Sequence, residues 1–335
     1  MTATDRIAEI LSNSVEDDVL AVISKKYSDQ ISEGNIPGHL PLNKFGYNGA
    51  VGATDEEVWD GAVAYPYLAA GEILKVSSND VDDQGDELSA GTATGGTVST
   101  LIDAAATFAT DTVAAGDLVI DDDNVQHGIV LSLTGETQIN LVLPLETSLD
   151  GVAYRVINAN DTGAAVIKLF GLDDNYDELS EYVVMATAAS VATVGTYLRV
   201  FRAMVILSGS SNVNEGNIAI KDNADAVLLA QITALKGQTQ MALWTVPDGY
   251  TAYINGFYGS SSVAAKATEV MLFVKNVGES WQLKKPILLN SSGAQIVIEP
   301  ALQVLQRAEV VIRANAAAGS GIVAAGFDGW YEANS

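Results

Sequence analysis

The 335 residues carry 17 basic and 42 acidic side chains, a net charge of −25, with 48% apolar and 7% aromatic residues. That apolar fraction fills sizeable cores in two or three compact units, while the absence of clustered Lys and Arg excludes direct nucleic-acid binding. With no cysteine, disulfides, thiol nucleophiles and Cys-ligated zinc are excluded, and no apolar run reaches the ~18 residues of a membrane span.

In chain order, the first thirty residues read as helix. Thr4 or Asp5 can cap a segment over 6–11, and Ser14 can cap 15–27, with Glu16, Asp17 and Asp18 complementing the positive end of its dipole. Val15, Val19, Val22 and Ile23 fall at i, i+4, i+7 and i+8, one narrow apolar stripe. So short an amphipathic helix must dock on its own domain or on a neighbour. The opening Met1-Thr2-Ala3-Thr4-Asp5 has neither the basic start nor the apolar core of a secretory leader. The protein is therefore expected to stay where it is made or to be assembled there.

Residues 31–72 hold no steady period and are punctuated by Pro37-Gly38, Pro41, Gly46, Gly49, Gly52, Gly61 and Pro66. Phe45, Tyr47, Trp59, Tyr65 and Tyr67 interleave with these breaks. Aromatic rings bring large apolar area at small entropy cost, so residues 1–72 read as helices plus an extended aromatic arm. The contact residues expected on it are Val15, Val19, Val22, Ile23, Phe45, Tyr47, Trp59, Tyr65 and Tyr67.

From Gly71 onward short strands alternate with turns. A strand over 72–77 breaks at the acidic run 79–87, and the Gly/Thr/Ala stretch 89–100 reads as a linker or loose strand. Strands over 107–109, 118–120, 128–134, 138–143 and 153–156 make a small β module. Asn158-Ala159-Asn160-Asp161 echoes Ser77-Ser78-Asn79-Asp80, so the module 82–157 is read as an insertion into a loop of a larger β domain. That host comprises 73–81 and 158–208, with a hairpin over 166–172 and 180–186 and a long strand over 198–207. Residues 209–335 supply further strands ending at 331, continuous with the host or packed on it. Short strands at this spacing predict a mainly β chain, a sandwich with jelly-roll connectivity.

Chemistry-bearing patterns are scarce. His39 and His127 are the two histidines, and neither has metal-ligand spacing. There is no G-x-S-x-G elbow, and Gly91–Gly96 lacks the Lys-Ser/Thr of a phosphate loop. The acidic loops 80–87, 121–123 and 173–177 offer oxygen ligands for calcium, but Asp and Asn also build turns, and no EF-hand pattern is complete. No catalytic residue, metal or cofactor is expected.

The segment Ala165 to Val184, AVIKLFGLDDNYDELSEYVV, resembles a hairpin found in structural proteins of tailed phages. Tyr197 to Val205 (YLRVFRAMV) and Gly237 to Tyr253 (GQTQMALWTVPDGYTAY) look like the same group. Thr100 to Phe108 (TLIDAAATF) and Ala115 to Ile120 (AGDLVI) are similar to small β units of phage head and tail proteins. The resemblance covers about residues 70–275 and carries no catalytic residue. It implies a virion component: a capsid decoration or cement protein, homotrimeric or otherwise oligomeric, bound to the major capsid protein. A head fibre or tail component touching the host surface is the alternative within the particle. A carbohydrate-binding or carbohydrate-active module is the alternative outside it.

Overall fold

A computed structural model describes residues 27–61, 64–159, 162–186, 189–262, 267–290, 292–316 and 321–334. Among them the one helix is Tyr27–Ser32, and nearly all regular structure is antiparallel strand. The helices expected over 6–11 and 15–27 lie outside the described residues, apart from Tyr27.

Two sheets enclose the largest core. One has the order His39–Val51, Gly321–Ala333, Tyr250–Ser261, Gly293–Val304. The other has the order Leu243–Thr245, Glu309–Ala316, Thr268–Lys275, Gln282–Leu289, with Glu56–Glu57 also paired to Glu309–Ala316. Taken in sequence, the strands starting at 39, 250, 293 and 321 fall in the first sheet, and those at 243, 268, 282 and 309 in the second. This alternation is jelly-roll connectivity. Leu42, Ile254, Phe257 and Phe327 from one sheet meet Trp244, Val270, Leu272 and Ile312 from the other.

The connection between the first two jelly-roll strands, residues 52–242, holds all the described strands outside the jelly roll. Its middle unit packs a sheet of Val191–Tyr197, Glu72–Ser78, Ile218–Lys221 and Leu228–Ile232 on a sheet of Glu178–Val184, Ala164–Leu172 and Arg199–Ser208. Within that unit, between Glu72–Ser78 and Ala164–Leu172, a seven-stranded sheet takes all its strands from Gly85 to Ala159. The architecture is thus an insertion inside an insertion.

Strands buried on both faces weld the units. In Glu309–Ala316, Val310, Ile312 and Ala314 enter the jelly-roll core while Val311 enters the middle core. In Ala164–Leu172, Ile167 and Leu169 fill the middle core, whereas Ala165 and Val166 pack on Leu118 and Ile120 of the seven-stranded module. Each carries a short uninterrupted apolar run, 310–312 in one and 164–167 in the other, as strands covered on both faces do. A buried ion pair reinforces the junction. Arg199 Nη2 lies 2.8 Å from Glu309 Oε1, and the Thr245 hydroxyl donates to the other Glu309 oxygen.

Several expectations need correcting. Residues 39–51 are not an arm: they form a 13-residue jelly-roll strand. Of the two readings of 89–100, linker or loose strand, the strand one holds, since Gly85–Thr92 and Gly95–Thr97 run through it. Residues 107–109 form a turn, from which Phe108 enters the module core. Ile218–Lys221 pairs with Glu72–Ser78, so the middle unit runs on well past residue 209.

A candidate binding surface on the outer jelly-roll sheet

Side chains alternate across a strand. Since Leu42, Ile254, Phe257, Val323, Ala325 and Phe327 point into the core, their neighbours build the opposite face of the sheet. Cross-strand register sets Phe45 opposite Gly326, which lies opposite Tyr258, and sets Pro41 opposite Trp330, which lies opposite Tyr253. Gly326 is needed here: a Cβ added to it would lie 2.3 Å from the Tyr258 hydroxyl. The Tyr258 ring therefore lies down across the neighbouring strand, next to Phe45. A shallow groove of about 360 Å³ follows, lined by Phe45, Tyr258, Ala294 and Ala324.

At the other end of the face Tyr253 and Trp330 stack, with centroids 5.5 Å apart and planes 17° from parallel. The edge contact of Tyr27 with Trp330, also at 5.5 Å, anchors the helix Tyr27–Ser32 there. The Tyr27 hydroxyl lies 2.9 Å from His39 Nε2, which also faces the Glu332 carboxylate. Asn43 donates to Asp328 midway along the face.

The nine expected contact residues divide three ways. Phe45 and Tyr47 lie half-buried on this face. Val15, Val19, Val22 and Ile23 lie outside the described residues. Trp59, Tyr65 and Tyr67 are spent inside the chain, at the junction of the jelly roll and the middle unit. Trp59 is wholly buried, and the Tyr65 hydroxyl both donates to the Val200 carbonyl at 3.0 Å and accepts from its amide at 3.1 Å. Tyr67 lies against Trp281, with the Arg199 guanidinium 5.1 Å from its ring centre. Their aromatic area holds two units of one molecule together.

Sequence reasoning missed Tyr253, Tyr258 and Trp330. A shift in register between Ile254 and Gly256 breaks the alternation that would have aligned the two tyrosines on one face.

The acidic loops are turn-builders. Asp173 Oδ1 accepts from the amides of Asn175 and Asp177, and Asp121 Oδ1 from those of Val125 and Gln126. Asp83, fully buried, accepts from the amides of Ala164, Glu215 and Gly216 and from the Ser78 hydroxyl. Among the described residues no three His, Asp or Glu side chains converge as metal ligands. His127 bonds the Tyr182 hydroxyl at 2.6 Å, and burial, then Lys168, pushes its pKa below the ordinary value.

No protein-family model matches the chain, and neither a curated protein nor a solved structure is detectably similar to it.

Proposed function

We propose that the protein is a structural component of a tailed-phage virion, a decoration protein that coats the head and stabilises it through many repeated protein contacts. The observation that carries this reading is the outer jelly-roll sheet. It presents Phe45, Tyr47 and Tyr258 on a rigid surface, and the helix Tyr27–Ser32 is anchored at the other end of the same face. Aromatics on a stiff sheet lose little entropy on binding, and a contact of modest strength gains weight when it is repeated over a shell. The hairpin resemblance at 165–184 and the net charge of −25, which keeps exposed surfaces apart from DNA and anionic lipid, agree with that role.

The sugar-platform alternative gains less support. Tyr253 and Trp330 each spend one ring face on the other, and Tyr27 meets Trp330 edge-on, which leaves less open ring surface for a pyranose to stack on.

Removing residues 1–30 tests the proposal. The truncated protein is expected to keep its β circular dichroism and its melting transition while losing attachment to purified heads. Unchanged attachment would refute the role given to this edge of the sheet. Gel densitometry of virions is expected to give hundreds of copies per particle; a handful would assign the chain to a fibre or tail instead.

A further inference from the structure

Lys44 stands at a core-facing position of His39–Val51 and is 4% exposed. Lysine is almost never buried so completely without a partner of opposite charge. Here the ammonium donates to the Phe201 carbonyl and lies 5.3 Å from the Phe201 ring centre, and Arg202 is beside it. Among the described residues the Arg202 guanidinium has one hydrogen bond, to the Asn43 carbonyl at 2.8 Å. Neither cation belongs to any ion pair among the described residues. The one carboxylate lining the same space, Glu178, accepts instead from the Tyr331 hydroxyl at 2.8 Å.

These two cations open on a cavity of about 340 Å³ between the jelly roll and the middle unit. Its apolar walls include Phe170, Phe201, Met204 and Trp244. A positive end in a protein of net charge −25, closed in by aromatic rings, has the form of a small-ligand site: mostly apolar, with a few convergent polar groups. Two cations without a nest of backbone amides suit one negative charge better than a phosphate dianion. The apolar walls call for a ligand with an apolar body.

We propose that this cleft binds a small monocarboxylate with an aromatic or aliphatic body, its charge set between Lys44 and Arg202 and its body against Phe170, Phe201 and Trp244. The site is independent of the virion reading. Burial, and then the neighbouring Arg202, holds the Lys44 pKa well below the ordinary lysine value, the condition a bound carboxylate would relieve.

The test compares 3-phenylpropionate with its neutral amide on the intact protein, read by thermal shift and by Trp244-dependent fluorescence. The acid is expected to raise the melting temperature saturably, to bind at least tenfold more tightly than the amide, and to weaken as salt is added. Equal effects of acid and amide, or no saturable effect of the acid, would overturn the proposal. Lys44→Met should stabilise the ligand-free protein, because a buried unpaired charge is gone, and should abolish the response to the acid. Arg202→Gln, at a more open position, should fold normally and weaken the acid about tenfold without changing the response to the amide. Retention of full acid binding by either variant would also overturn it.

Discussion

Asp60 lies where the jelly roll hands the chain to the middle unit. One of its oxygens accepts from the Thr233 hydroxyl at 3.1 Å, and the other is buried with no partner. Burial lifts its pKa to about 6, against an ordinary value of 3.8. Between those values the folded chain holds a proton that the unfolded chain has released, so this group's contribution to stability falls as pH rises from about 4 to 6. Asp60→Asn cannot titrate. Its stability relative to the parent should therefore climb over that interval, reaching about 1–2 kcal/mol at pH 7 after allowance for partial exposure. Urea denaturation of both proteins at pH 4, 5, 6 and 7 measures the difference, and a flat difference would rule it out. The Arg199–Glu309 pair behaves otherwise, because both partners are buried and bonded. Arg199→Ala strands the Glu309 carboxylate in the junction and should cost about 3–5 kcal/mol, whereas Arg199→Met with Glu309→Leu should recover most of it. Denaturation midpoints of the single and double variants decide between these outcomes.

At the scale of elements, the seven-stranded module joins its host through two strands that pair directly, Ala159 opposite Gly85. Replacing residues 86–158 by a short Gly-containing turn should leave the host folded. It should still cost stability, because Leu118, Ile120 and Ile157 cover Ala165, Val166 and Tyr182. A cooperative melt at lower temperature is the expected result; loss of the transition would show that module and host fold as one unit. The module and the hairpin around Asp173 were legible in the sequence because local chemistry writes them. The Asp173 carboxylate bonds the amides of its own turn, and the flanking runs at 164–172 and 178–184 are apolar enough to read. The strand His39–Val51 was illegible for the opposite reason. Its inward positions after Leu42 are Lys44, Gly46 and Asn48, which face a cleft and a close backbone approach rather than oil. A Cβ on Gly46 would sit 2.0 Å from the Val58 carbonyl oxygen. With aromatics outward and polar residues inward, the usual signal is inverted, so the aromatic face was only partly visible, through Phe45 and Tyr47.

At the scale of the molecule, the order of strands in the outer jelly-roll sheet matters most. Among the described residues His39–Val51 has one strand partner, Gly321–Ala333, which is the last described strand of the chain. The aromatic face is therefore shared between residues separated by almost the whole sequence, Phe45 and Tyr47 on one side and Trp330 on the other. During synthesis the early strand must wait while the inner module, then the middle unit, then the remaining jelly-roll strands emerge, and only the final segment zips it in. A chain cut short before residue 321 would thus display an open edge in place of the aromatic face. An intact aromatic face thus reports that the chain has been made through its last described strand, a check on completeness written into topology alone.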